Sequence, residues 1–209
     1  MGQTDVNIVL CAVIAAALQM TGAAVIIRRD TSCPDIVTRE QWGTKPAKET
    51  DNITSLPVPF VVLHHTHRPR FCNSSEDCEA AMRTMQYMHQ DLRGWFDIGY
   101  NFCVGGTGNV YEGRGWDVQG AHAPRYNNRS TGICFIGDFM DSLPTPEMME
   151  AAKDLIQCGV ERGSIAVDYK LLGHRQVRDT LCPGDTFYEN ITTWSHWDPL
   201  ADVVTVTHT

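Results

Sequence analysis

The sequence predicts an α/β domain in which a central mixed β-sheet is covered by about three helices. Three observations carry this expectation. Short apolar, β-branched runs at Phe60–His64 and Gly132–Gly137 read as buried strands. Between and after them lie segments with helical spacing or helix-capping residues. A chain of 209 residues with 43% hydrophobic content is enough for one packed domain of ordinary size, and it shows no repeat of solenoid period.

The elements follow in order. Residues 28–57 are polar with scattered prolines, and they are expected to wrap the domain surface. Phe60–His64 reads as a buried central strand. Glu76–Leu92 places Cys78, Met82, Met85, His89 and Leu92 at helical spacing, and such a stripe reads as core packing. Gly99–Gly105 and Asn109–Glu112 read as a hairpin across the turn Gly105-Gly-Thr-Gly108. No helix follows that glycine cluster, so it is not a phosphate cradle. Gly132–Gly137 is a second buried strand. Thr145-Pro146-Glu147 starts a helix with an N-cap, a proline at the first helical position and an early acid. That helix runs to about Arg162, with Gly163 as its stop. Leu171–His174 reads as a short strand, and Asp185–Trp194 as a final helix burying Phe187, Ile191 and Trp194. The pattern leaves strand order open.

The N-terminus is a targeting question. Ile8–Leu18 is almost wholly apolar and rich in alanine, and Gly22, Ala23 and Ala24 follow. This reads as a secretory signal over residues 1–24. Asp5 in place of a basic flank, and Val25-Ile-Ile27 before Arg28-Arg29, leave an anchor over Val6–Ile27 as the alternative. Its basic flank would hold the domain on the cytoplasmic side, so secretion is the expectation. A formal net charge of −8 gives no nucleic-acid footprint. A monomer is expected, with residues 200–209 as a tail.

The chemistry concentrates at three residues. His64 ends an apolar run, and His174 and Cys182 bracket the polar segment Gly173–Gly184. Two imidazoles and a thiolate make a three-ligand zinc set with the fourth position open, the arrangement of a catalytic site. The separation of His174 from Cys182 is not a helical period, so they should sit on a strand end and a loop. His65 should point away from His64 on a strand, and no role is given to it. Cys103 and Cys134 lie in strand-like runs and read as small buried apolar residues. Asn52, Asn73, Asn128 and Asn190 begin Asn-x-Ser/Thr sequons.

Several segments in order make the chain resemble a known family. They are Val37–Gly43, Val61–Thr66, Trp95–Phe102, Val110–Trp116, Gly120–His122, Gly132–Gly137 and Gly173–Val177. Over residues 33–199 the chain resembles the peptidoglycan recognition proteins, a family similar to phage type-2 amidases, and most of all its amidase-active insect form. The resemblance implies an N-terminal segment at 25–57, an amidase and peptidoglycan-binding domain at 58–199, and zinc at the floor of a surface groove. It implies that His64, His174 and Cys182 hold the metal, with Tyr100 and Thr180 as the catalytic residues. Where phage enzymes have lysine at the latter position, threonine brings no positive charge. It also implies disulfides Cys33–Cys158 and Cys72–Cys78, and hence an oxidising compartment. A further bridge of some relatives is missing, because Phe96 stands in place of its cysteine.

His89, His122 and Asn127 match groove positions that contact muramyl-peptide. Gly94, Trp95 and Arg114 match the set that accepts diaminopimelate, whose extra carboxylate an arginine can meet with a bidentate pair. The implied activity is N-acetylmuramoyl-L-alanine amidase, acting on bacterial peptidoglycan outside the cell in innate immunity. The alternative is a receptor that senses peptidoglycan without cutting it. Sensors of the family commonly lack the cysteine ligand, which this chain keeps.

Overall fold

The computed structural model describes residues 33–199. The signal and anchor readings of the N-terminus and the tail at 200–209 lie outside them. The elements are β1 (Ile36–Val37), β2 (Val58–His65), α1 (Ser75–Tyr87), β3 (Phe102–Val104), β4 (Val110–Glu112), β5 (Ser130–Phe135), α2 (Pro146–Glu161), β6 (Ile165–Gly173) and α3 (Asp185–Ile191). They form a six-stranded sheet in the order β1-β4-β3-β5-β2-β6. Only the hairpin pair β3–β4 is antiparallel. The fold is thus α/β with a mixed sheet and three α-helices, as the sequence predicts.

The sheet is covered on both faces, which explains why β2 and β5 read as continuous apolar runs. Side chains alternate across a strand. Val61 and Leu63 of β2, with Ile133 and Phe135 of β5, join Met148, Ala152 and Leu155 of α2 and Phe187 and Ile191 of α3 in one core. Cys103, Cys134 and Tyr111 face the other way and pack with Trp42 and with Met82 and Met85 of α1. His64 pairs in register with Cys134, so the end of β2 turns a histidine toward this second face. Helix α2 starts where the sequence placed its cap, and α1 gains one that the sequence reading did not name. Ser74 accepts from the Asp77 amide and Thr145 from that of Met148; losing either cap costs about 1 kcal/mol.

Four expectations need correction. The N-terminal segment does more than wrap: it supplies β1, parallel to β4, and the fully buried Trp42, whose indole N–H donates to Glu112 O at 2.8 Å. The helix from Glu76 does not stay α-helical, since Met88–Leu92 is a π turn. The wider turn rotates the stripe, so His89 remains buried while Leu92 is 65% exposed. β6 begins at Ile165 rather than Leu171. As an edge strand it tolerates exposed Val167, Asp168 and Lys170, which masks its strand character. α3 stops at Ile191, before Trp194, which still packs against the core.

The cysteines bring a further correction. Cys33–Cys158 and Cys72–Cys78 are disulfides, and so is Cys103–Cys134. Strands β3 and β5 are neighbours, and their register sets Cys103 directly opposite Cys134. Their Cα atoms are 4.4 Å apart, within disulfide range. The reading of both as simple apolar residues lacked that register. Among the described residues Cys182 is the one free cysteine, and no described helix is long and apolar enough to cross a membrane.

Candidate metal centre

Three chain segments meet at the C-terminal end of β2. The strand delivers His64, fully buried. β6 ends at Gly173, and the chain turns at once into a 3-10 helix, His174–Gln176. The loop after it returns Cys182, whose carbonyl accepts from Arg175 N–H at 2.9 Å. One donor atom from each of His64, His174 and Cys182 lies within 4.8 Å of the others. Cys182 Sγ is 3.8 Å from His64 Nδ1 and accepts from the His65 amide at 3.3 Å.

The residues fit a thiolate- and imidazole-loving metal such as zinc. Burial lowers the basicity of His64 and brings His174 down to about 4, so both imidazoles are neutral at physiological pH, the form that ligates. Nε2 of His174 is buried without a hydrogen-bond partner. An orphaned donor or acceptor costs about 1–3 kcal/mol, and a metal would satisfy it. Burial pushes the Cys182 thiol up to about 12, so the protein alone does not ionise it, and a metal must displace its proton.

A second layer fixes His64. Its Nε2 is 2.9 Å from His122 Nδ1, and His122 Nε2 is 3.4 Å from Ser130 Oγ. The Ser130 hydroxyl donates to Tyr126 O at 2.7 Å, so toward His122 it can only accept. Nε2 of His122 therefore carries the proton, its Nδ1 is the acceptor, and His64 donates from Nε2. That leaves the lone pair of His64 on Nδ1, the atom facing Cys182. Second partners of this kind set ligand tautomer and orientation. The His122 ring fits between two glycines: a Cβ would meet its Cδ2 at 2.3 Å from Gly120 and at 2.4 Å from Gly132.

Other residues singled out by sequence gather nearby. The Tyr100 ring centroid is 5.1 Å from that of His64, and burial, with Cys182 adding to it, holds its hydroxyl protonated far above neutral pH. Thr180 Oγ1 accepts from the Cys182 amide at 3.2 Å. His89 stacks on Trp95 at 4.6 Å and accepts from Gly99 N–H at 3.0 Å. Gly94 has φ +71 and open space where a Cβ would be. Asn127 Oδ1 accepts from the amides of His122 and Ala123, both at 2.8 Å. Arg114 donates to the carbonyls of Ile98 at 2.6 Å, Gln119 at 2.7 Å and Asp97 at 3.5 Å, which occupies three of its five N–H donors.

Sequence reasoning missed two features of this region. One is the His122–Ser130 chain. The other is buried Asp97, which pairs with Arg39 at 2.8 Å and accepts from Gln86 and Gln90, fixing the loop that carries Trp95 and Tyr100. A hollow of about 790 Å³ between α2, β6 and α3, lined by Lys153, Tyr169 and Trp194, contains none of the ligand set.

Comparison with known proteins places this geometry. Residues 54–185 match the family model described as N-acetylmuramoyl-L-alanine amidase. Over 174 residues the chain is 47% identical to peptidoglycan-recognition protein LB of Drosophila melanogaster, covering 83% of this chain and 75% of that protein. The chain belongs to the peptidoglycan-recognition proteins of the amidase family. Two solved family members bear on ligands. A mutant of Drosophila PGRP-LB in complex with tracheal cytotoxin matches with a TM-score of 0.77 and 48% identity, over 78% of this chain and 96% of that one. Peptidoglycan recognition protein-LE in complex with tracheal cytotoxin, a monomeric diaminopimelic acid-type peptidoglycan, matches with a TM-score of 0.77 and 42% identity, over 79% and 96%.

Proposed function

We propose that this chain is a zinc-dependent N-acetylmuramoyl-L-alanine amidase. It hydrolyses the bond between the muramyl lactyl group and L-Ala of peptidoglycan and prefers the meso-diaminopimelate type. In this reading it acts outside the cell, in innate immunity, by degrading immunostimulatory fragments. The observation that carries the proposal is the complete His64–His174–Cys182 set with an unsatisfied buried nitrogen on His174. Retention of Cys182 favours the enzyme over the non-cutting receptor. Family membership and the cytotoxin complexes of relatives support the ligand class. Three disulfides fit an oxidising compartment. Of the sequon asparagines, Asn52, Asn73 and Asn128 are exposed, whereas Asn190 accepts from the Trp194 indole.

The geometry supports the following roles in this reading. His64 and His174 ligate as neutral imidazoles, and Cys182 ligates as a thiolate. When bound, zinc polarises the scissile carbonyl and activates water. Tyr100, kept protonated, donates to the oxygen that gains charge as the amide carbonyl becomes tetrahedral. Thr180 uses its oxygen to hold the Cys182 amide and retains a hydroxyl proton to offer the same oxygen. His122 and Ser130 keep the His64 lone pair aimed at the ligand set. His89 steadies the Trp95 wall, Gly94 leaves room beside it, and Asn127 holds the His122 loop.

Chelation tests the metal requirement. Protein stripped of metal is expected to lose stem-peptide release and to regain it on adding zinc; undiminished hydrolysis in stripped protein would reject the proposal. Selectivity rests on Arg114. Its two unengaged N–H donors are proposed to meet the extra carboxylate of diaminopimelate, a charge-assisted bond contributing about 1.5–3 kcal/mol. Arg114→Ala is therefore expected to weaken binding of a soluble diaminopimelate muropeptide by roughly tenfold to a hundredfold, with the lysine muropeptide nearly unchanged. Equal losses on both would assign Arg114 to bracing the Ile98 and Gln119 backbone.

A further inference from the structure

We infer that His65, His67 and Asp138 form a second divalent-metal site, for a first-row transition ion of the zinc class, beside the His64–His174–Cys182 set. One donor atom from each of the three lies within 4.8 Å of the others. His67 Nδ1 is 3.0 Å from Asp138 Oδ2, and His65 Nδ1 is 3.7 Å from Asp138 Oδ1. Tetrahedral zinc with bonds of about 2.0–2.1 Å sets its ligand atoms about 3.3 Å apart. The cluster must therefore close by about 1.5 Å at most. The His67 side chain is 60% exposed and has room for that shift.

The backbone under the cluster is already stitched together. Thr66 N–H donates to Phe135 O at 3.0 Å, and His67 N–H to Gly137 O at 2.8 Å. Gly137 N–H donates to Thr66 Oγ1 at 2.9 Å. His67 adopts φ +53, which residues with a Cβ seldom do, and its ring lies against Asp138. Among the described residues, a 3.3 Å hydrogen bond from the Phe139 amide competes for His65 Nδ1. A metal would replace that long contact, so this site should be weaker than the buried one. As a mere surface ion pair, His67 and Asp138 would contribute only about 0–1 kcal/mol.

Two imidazoles with one carboxylate select zinc, cobalt, nickel or copper over magnesium and calcium. No thiolate is present, which distinguishes this site spectroscopically from the first. The two sites are linked through His65, whose amide bonds Cys182 Sγ while its ring faces Asp138.

Equilibrium dialysis of the whole protein against zinc, over a range of free metal, tests the assignment. The parent protein is expected to bind one equivalent more than either His67→Ala or Asp138→Asn. Cobalt(II) should show the same difference, with added visible ligand-field bands but no added sulfur-to-metal charge transfer. The difference is read whether or not the first site fills, so it is independent of the amidase proposal. Asp138→Asn keeps the side-chain shape and His67 is mostly in water, and melting curves verify that both variants fold. A parent that binds no more metal than the variants, or variants that both retain the extra equivalent, would overturn the site.

Discussion

Cys182→Ala is expected to cut stem-peptide release by a thousandfold or more, on the order of 4 kcal/mol of lost transition-state stabilisation, while muropeptide binding stays within a few-fold of the parent. The split follows from what the thiol touches. Its neighbours are His64 Nδ1, the His65 amide and the His65 carbonyl, and none belongs to the Trp95 or Arg114 surroundings proposed to bind the stem. The fold should survive, because Cys182 belongs to none of the three hydrophobic clusters and to none of the described disulfides. Leaving the His65 N–H without its acceptor costs about 1–3 kcal/mol. Calorimetric binding and mass-spectrometric product release, run on one preparation, check the two halves. Equal loss of binding and turnover would mean that Cys182 shapes the site rather than the reaction.

Gly132→Ala should damage the centre without touching a proposed ligand. The new methyl would stand 2.4 Å from His122 Cδ2 and 2.6 Å from Cγ. His122 is buried, and Gly120 lies just as close to the same ring atom, Cδ2, so the ring has little room to step aside. Overpacking of this kind costs about 1–3 kcal/mol, a fall of about 2–12 °C in melting temperature. His64 would also lose the acceptor that fixes its tautomer, and zinc affinity should drop by about tenfold to a hundredfold. Removing the obstacle separates the effects. Gly132→Ala combined with His122→Ala is expected to recover melting temperature but not zinc affinity. Recovery of both would show that His122 has no part in orienting His64.

These two residues mark how far the sequence could be read. Cys182, His64 and His174 stood out because few residue types ligate zinc and because their flanking motifs resemble the family. Gly132 read only as part of a strand, since its purpose depends on a ring delivered from His122 on another loop. The His64–His122 contact spans 58 residues, and only the placement of β5 beside β2 reveals it. The same gap explains Cys103 and Cys134: composition calls a cysteine apolar or bridging equally well until register decides. Helix α2 was legible because Thr145 and Pro146 act within their own turn. The π turn at Met88–Leu92 was not, because a helical stripe read from sequence assumes an unbroken α-period. Arg114 shows the reverse limit. The motif suggested a carboxylate reader, and the structure adds three backbone carbonyls that the side chain also serves.

Cleavage of the muramyl–L-Ala amide by the His64–His174–Cys182 centre is the activity proposed. Its most direct measurement is mass spectrometry of the products when zinc-loaded protein is incubated with purified diaminopimelate-type peptidoglycan. Soluble stem peptides with a free L-Ala amino terminus are expected, with glycan strands left intact. Peptidoglycan that is bound but uncut, or cut at a glycosidic or internal peptide bond, would contradict it.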